Sequence, residues 1–207
     1  MSLSKQDMSA KLAAENALRA EGYNYICGVD EVGRGPLAGP VVCAAVIMPA
    51  DDIVEGVDDS KKLSAKKREK LDALIREKAI AWAICRIEPQ QIDEINILQA
   101  TRLCMKNAIE SLKIRPDFVI TDGNMTLDIA FPQRHIIGGD ASCYSIGAAS
   151  ILAKVYRDKI MDEYAADYPW YGFEKNKGYG TAAHIAAIKD RGLCPIHRRS
   201  FTKKWSD

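Results

Sequence analysis

Apolar and polar positions follow two periods along this chain of 207 residues. A helical period opens it: residues 8–21 read as a short amphipathic helix closed by Gly22. Strand-like runs follow near 25–31, 41–48 and 79–87. The middle run, Val41-Val42-Cys43-Ala44-Ala45-Val46-Ile47-Met48, is apolar throughout and partly β-branched. A helix is predicted between the last two strands, with Ser64 as its N-cap. Asn96 to Leu112 is predicted helical, with Ile97, Leu98, Leu103, Met105, Ile109 and Leu112 on its buried side. Asp117-Phe118-Val119-Ile120-Thr121 reads as a short strand and Arg134-His135-Ile136-Ile137 as another. Ser145 to about Ala165 is a long helix rich in alanine, isoleucine and leucine, and Thr181 to Arg191 is a last helix stopped by Gly192. Strands first, then alternating helix and strand, predict an α/β layer fold with a mixed sheet. No repeat or low-complexity linker interrupts it. One domain over 1–207 is expected, with an N-terminal helical extension over about 1–22 and a small helical C-terminal part over about 167–207.

The 47% hydrophobic fraction supports a real core. No apolar run approaches a membrane span, and the polar N-terminus lacks the apolar stretch of a signal peptide. The six cysteines, at 27, 43, 85, 104, 143 and 194, form no C-x-x-C pair, and several sit in apolar runs as small hydrophobes. A reduced, cytoplasmic protein is expected. His135, His184 and His197 are scattered, which argues against a structural zinc site. The net charge of +1 hides a segregation: residues 60–78 carry eight Lys or Arg against three acids, and residues 171–207 again eight against three. Such segments suit a nucleic-acid footprint, although 64–78 alone reads better as a solvated helix face.

The densest candidate chemistry is Asp30-Glu31-Val32-Gly33-Arg34-Gly35-Pro36-Leu37-Ala38-Gly39. Acids hold hard cations through oxygen, arginine grips phosphate, and glycine lets backbone approach a ligand. Together they suggest phosphodiester chemistry; a strand ending in a polar turn is the plainer alternative. Gly33-x-Gly35-x-x-Ala38 also fits a dinucleotide fingerprint, but Pro36, Gly39 and Pro40 lead into a strand where that motif needs a helix.

Two further acids are placed like Asp30. Asp122 follows an apolar strand and precedes Gly123-Asn124; Asp140 follows Ile136-Ile137-Gly138-Gly139. Four carboxylates at strand ends could converge on one cleft. Singly, each also reads as an ordinary turn or cap. Adjacent strand residues point to opposite faces, so Asp30 and Glu31 can serve one cation pair only if the strand twists or ends there. All-oxygen donors favour Mg²⁺ or Mn²⁺, and two such ions about 3.5–4 Å apart activate water and stabilise a leaving oxygen.

The chain resembles the bacterial ribonuclease HII family. The resemblance is carried by Gly28-Val29-Asp30-Glu31-Val32-Gly33-Arg34-Gly35-Pro36-Leu37-Ala38-Gly39, Asp59-Ser60-Lys61-Lys62-Leu63, Asn96-Ile97-Leu98-Gln99-Ala100-Thr101, Thr121-Asp122-Gly123-Asn124, Gly139-Asp140 and Ala148-Ala149-Ser150-Ile151-Leu152-Ala153-Lys154-Val155. It continues in Lys177-Gly178-Tyr179-Gly180-Thr181-Ala182-Ala183-His184 and His197-Arg198-Arg199-Ser200-Phe201, and spans about 26–201 in family order.

The resemblance implies an RNase H-like fold and Mg²⁺- or Mn²⁺-dependent, two-metal cleavage of RNA paired to DNA. Single ribonucleotides in duplex DNA are included, cut on the 5′ side to leave 3′-OH and 5′-phosphate. It assigns Asp30, Glu31, Asp122 and Asp140 as the metal-binding catalytic acids. Gly33-Arg34-Gly35 would address the ribonucleotide and its phosphate, and Tyr179 the RNA–DNA junction. Ser60, Lys61 and Lys62 would contact the substrate backbone, and the C-terminal helical part would bind substrate. His184 and His197 receive no catalytic role. Ile196 stands where a second histidine often precedes the Arg-Arg pair. The chain stops at Asp207 without a glutamine-plus-aromatic tail, so sliding-clamp binding is doubtful; a monomer is expected. The competing functions are a type 3 ribonuclease H, disfavoured by only about 25 residues before the first strand, a junction resolvase, and a non-catalytic RNA-binding module.

Overall fold

In the computed structural model, which describes residues 5–205, a five-stranded mixed sheet forms the centre. Its strands are β1 (Ile26–Val32), β2 (Val41–Ile47), β3 (Ala81–Ile87), β4 (Phe118–Asp122) and β5 (Gln133–Ile136), in the spatial order β3-β2-β1-β4-β5. The β1-β2 and β2-β3 pairs are antiparallel, and the β1-β4 and β4-β5 pairs are parallel. The expected mixed sheet flanked by helices is therefore present. β2 is buried at every position, as a strand covered on both faces requires.

The helices are α1 (Lys5–Lys11), α2 (Ala13–Ala20), α3 (Ala65–Lys78), α4 (Pro89–Glu110), α5 (Gly139–Ser142), α6 (Tyr144–Asp167), α7 (Phe173–Asn176), α8 (Ala182–Arg191) and α9 (Arg199–Thr202). One sheet face packs Cys27, Val29, Cys43 and Ala45 against Ala100, Cys104, Met105 and Ile109 of α4. The other packs Val42, Ala44 and Val46 against α6 and α3 through Ile151, Leu152, Leu71 and Ile75. A separate apolar cluster joins Leu37 and Ala38 to Met161, Tyr171, Phe173 and Ile188 of the C-terminal part.

Several boundaries move, each for a local reason. The N-terminal helix forms as two abutting pieces, α1 and α2, meeting at Leu12, and ends at Gly22 with φ +100. Helix α4 starts at Pro89, earlier than Asn96, because proline suits a first helical turn. Asn96 is the break inside it (φ 64, ψ 164), where its side chain accepts the N–H groups of Leu98 and Gln99 at 3.0 and 3.2 Å. Leu98 consequently points outward, and the buried stripe runs through Ala100, Thr101, Cys104, Met105, Ala108 and Ile109. β3 begins at Ala81, later than residue 79. Ile137 lies beyond β5 and is 84% exposed. The caps at Ser64 and Thr181 form as the sequence predicts, each hydroxyl accepting the N–H three residues on.

β1 and α6 approach each other very closely. A Cβ at Gly28 would lie 2.3 Å from the backbone carbon of Ser145. Only glycine lets α6 lie this near the strand that carries Asp30. Gly28→Ala must push the first turn of α6 off the sheet, and we expect a stability loss of about 3 kcal/mol, the upper end of ordinary overpacking. Urea unfolding reads this; a loss below about 1 kcal/mol would show that the helix slides freely.

Candidate functional site

The acids do not all sit at strand ends, as the sequence suggests. Asp30 and Glu31 lie inside β1, paired with Ala44 and Cys43, and the strand continues to Val32. Asp122 is the last residue of the neighbouring parallel strand β4. Asp140 is on the short helix α5, not on a strand. The parallel β1-β4 pairing brings the first three together, and a 2.7 Å hydrogen bond from the Gly139 N–H to Asp122 Oδ1 holds α5 against β4.

Asp30 is buried on the α6 side of the sheet. Burial pushes its carboxyl well above the ordinary carboxylate range; the charges of Glu31 and Asp122 add to this, and the Ser150 hydroxyl opposes it. Glu31 is raised by burial and by Asp122, against the nearby Arg34 guanidinium, whose Nη1 lies 3.6 Å from Glu31 Oε1. Lys61 reaches into the same group, with Nζ 3.2 Å from Asp140 Oδ2. Desolvation opposes its charge, but Asp140, Asp59 and Asp30 outweigh that and raise the ammonium above its ordinary value. Among the described residues no three ligating side chains are gathered closely enough to hold an ion.

The predicted backbone contacts divide. Lys61 and Lys62 are exposed on a 3₁₀ turn over Ser60–Lys62, capped by Asp59, whose Oδ1 accepts the Lys61 N–H at 2.9 Å. Ser60 is buried instead, its hydroxyl 2.9 Å from Ser150 Oγ. It seats the turn against α6, because a small hydroxyl satisfied inside costs less than one left unpaired.

The Gly33–Pro40 loop is organised by two arginines that sequence patterns leave without a role. Arg157 and Arg198 are completely buried, and among the described residues neither forms a salt bridge to a carboxylate. Arg198 donates to the carbonyls of Gly33 (2.6 Å), Arg34 (3.0 Å) and Gly39 (3.0 and 2.8 Å). Arg157 donates to Ala38 (3.1 Å), Pro40 (3.0 Å) and Lys177 (2.9 Å). Burial draws Arg157 down to about 10; burial and Arg157 together draw Arg198 to about 9, so both remain cationic at neutral pH. In a trans peptide the N–H opposes the carbonyl. Because the Gly33 and Arg34 carbonyls turn inward, the N–H groups of Arg34 and Gly35 turn outward. Gly33 itself is buried, with φ +92 and no room for a Cβ, which would lie 2.3 Å from Arg157 Nε. Arg34 and Gly35 are exposed. The eight basic residues of 171–207 thus overstate the surface charge there, since Arg198 faces inward. Helical spacing carried a signal for Arg157: it falls four residues after buried Ala153 and eight after Ala149. No periodicity marks Arg198.

Tyr179 is 46% exposed, next to Gly35, whose added Cβ would meet its ring at 3.8 Å. Two of the three histidines come together in space, while His135 stays apart on β5. His184 and His197 are both buried and joined Nε2 to Nε2 at 3.0 Å, and His184 Nδ1 lies 2.9 Å from the Tyr179 carbonyl. All six cysteines are free. Burial raises Cys27, Cys43, Cys104, Cys143 and Cys194, and the Cys104 thiol raises Cys85, so none is a thiolate at neutral pH. No described helix is long and apolar enough to cross a membrane.

A family model described as ribonuclease HII matches residues 27–204. The chain is 56% identical over 189 residues to the ribonuclease HII of Caldicellulosiruptor bescii, spanning 91% of this chain and 92% of that protein. It is 53% identical over 185 residues to the ribonuclease HII of Chlorobium chlorochromatii, spanning 86% and 90%. Among solved structures, the ribonuclease H2 of Pyrococcus horikoshii OT3 matches with a TM-score of 0.74 at 27% identity, covering 87% of this chain and 96% of that one.

The histidine pair makes stability depend on pH. Burial, then the neighbouring His184, draws His197 from 6.5 to about 4, and burial lowers His184 as well. Between these values the unfolded chain binds a proton that the folded chain refuses. Stability is therefore complete above about pH 6.5 and falls as pH drops toward 4, by up to about 3 kcal/mol for His197. Thermal midpoints from pH 7.5 to 5 should fall more steeply in the parent than in His197→Gln; parallel curves would remove His197 as the cause.

Proposed function

The chain belongs to the ribonuclease HII family, and from that premise we propose that it cuts duplex DNA on the 5′ side of a single embedded ribonucleotide, as well as RNA strands in hybrids, leaving 3′-OH and 5′-phosphate ends. Ribonuclease H action on RNA–DNA hybrids comes with the family. The type 3 reading gives way to the type 2 match, and the non-catalytic module to a family of hydrolases.

The observation that carries the finer reading is Tyr179, an exposed ring held beside the outward N–H groups of Arg34 and Gly35. A 2′-OH is what distinguishes ribose from deoxyribose, and two fixed peptide donors can address it. The ring stacks on the deoxyribose that follows and crowds an extra hydroxyl. Arg34, half exposed beside Glu31, takes the phosphate between them. Lys61 and Lys62 meet the flanking backbone as point charges, and Ser60 holds their turn in place.

Asp30, Glu31, Asp122 and Asp140 are the residues that would hold Mg²⁺ or Mn²⁺. The donor set fits: every donor is a hard oxygen, and the buried Asp30 carboxyl is destabilised most when charged and unneutralised. Two such ions, when bound, lower the pKa of a water and neutralise charge on the leaving oxygen. Asp122 accepts the Gly139 N–H and so couples its own position to that of Asp140. Lys61 balances Asp140 until substrate and cation compete for both.

Asp30→Asn and Asp122→Asn should each lower turnover about a thousandfold or more while keeping the fold. Without a divalent cation, at pH 8, Asp30→Asn should melt above the parent, because it removes a buried charge. The advantage should shrink as pH falls, since the raised Asp30 carboxyl takes up its proton early. Mg²⁺ should raise the melting point of the parent and not that of Asp30→Asn. Near-full activity of Asp122→Asn at saturating Mg²⁺ would take Asp122 out of the set.

Tyr179→Phe should keep most of the rate on a single-ribonucleotide duplex, and Tyr179→Ala should lose far more there than on a long hybrid. An all-DNA duplex should stay intact, which separates the enzyme from a junction resolvase. Equal losses by Tyr179→Ala on both ribonucleotide substrates would mean that the ring supports the fold and not the junction.

A further inference from the structure

The segment from Asn176 to Thr181 is tied down carbonyl by carbonyl. The Lys177 carbonyl accepts from Arg157 Nη1 (2.9 Å), that of Gly178 from the Leu37 N–H (2.8 Å), and that of Asn176 from the Tyr179 N–H (2.9 Å). Asn176 Oδ1 accepts the Gly178 N–H at 2.8 Å. Lys177 and Gly178 both have positive φ, 50 and 86, so the chain turns sharply just before Tyr179. The Tyr179 carbonyl accepts two bonds, from the Thr181 N–H at 2.8 Å and from His184 Nδ1 at 2.9 Å. Only the ring is left free.

The donor to that carbonyl is fixed from far along the chain. The Cys194 N–H, which can only donate, points at His197 Nδ1 at 3.0 Å. The His197 proton is therefore on Nε2, which donates to His184 Nε2 at 3.0 Å. His184 must then carry its proton on Nδ1, facing the Tyr179 carbonyl. Both rings are buried, edge-on to Tyr171 and, for His184, to Phe173, with centroids 4.8–6.2 Å apart. Among the described residues no hydrogen bond joins either ring to Asp30, Glu31, Asp122 or Asp140.

We infer that His184 is a positioning residue for junction recognition: backed by His197, its Nδ1–H sets the Tyr179 backbone and so the place of the ring over Gly35. This rests on the reading of Tyr179 as the junction contact. His184 acts on selectivity between substrates more than on the chemistry itself.

The test uses two amides that each imitate one ring nitrogen. In His184→Asn the amide nitrogen takes the place of Nδ1 and keeps the donor; in His184→Gln it takes the place of Nε2 and loses it. Both lose part of the buried pair, so both should melt lower. Rates kcat/KM are measured on a single-ribonucleotide duplex and on a long hybrid, beside Tyr179→Ala. The ratio of the two rates should fall about tenfold in His184→Gln, the size of one lost hydrogen bond, and stay within about twofold of the parent in His184→Asn. Equal ratios in the two variants, or equal losses on both substrates in His184→Gln, would overturn the inference. A selective loss in Tyr179→Ala with a parent-like ratio in His184→Gln overturns it alone; no selective loss in Tyr179→Ala brings down the junction reading beneath it. Imidazole ¹⁵N spectra of the parent give a reading that needs no variant. His184 protonated at Nδ1 and His197 at Nε2 is the expected result, and His184 protonated at Nε2 overturns the assignment.

Discussion

Burying charge without an opposite charge is the constraint that shapes this molecule. Asp30, Arg157 and Arg198 are each buried, and among the described residues none forms a salt bridge. Removing an ion from water costs several kcal/mol even after relaxation. The two arginines recover this from peptide carbonyls, with seven hydrogen bonds between them. Asp30 has no comparable set. It faces like charges in Glu31 and Asp122, with Ser150 the modest counterweight. The imbalance is one-sided: the Gly33–Pro40 loop is satisfied within the chain, and the acid cluster is not.

The two halves share one stretch of backbone. β1 delivers Asp30 and Glu31 and passes without a break into the loop that Arg157 and Arg198 hold. Displacing that loop would move the acids with it. The C-terminal part adds the other wall, since the Gly178 carbonyl accepts the Leu37 N–H, and the Ile196 carbonyl accepts the Gly39 N–H. The loop and the acids are therefore mechanically joined, and a lesion in α8 can displace the loop without touching an acid.

Much of this was legible in the sequence. The β2 run, the α6 run and the caps at Ser64 and Thr181 are local signals, and they form where local physics puts them. The four acids were legible as candidates, since each adjoins an apolar strand or a glycine turn. Their neighbourhood was not, because it depends on β1 and β4 pairing across nearly a hundred residues. Ser60 shows the same limit: beside two lysines it reads as a surface hydroxyl, and only the packing of α6 turns it inward. Asn96 reads correctly as a helix start, but Pro89 begins a turn of its own that period alone joins to nothing. Arg198 and the histidine pair were the least legible, because their partners lie at remote positions or are bare carbonyls, which leave no mark on composition.

The loop and its clasp are far apart in the order of synthesis. Gly33 leaves the ribosome well before Arg198, which lies 165 positions downstream. During that interval the acids of β1 can pair with β2, yet the Gly33–Pro40 turn has no guanidinium to gather its carbonyls. A nascent or truncated chain that ends before Arg198 would thus present carboxylates without a shaped reader beside them. The loop takes its final shape late, when Arg198 threads in behind it.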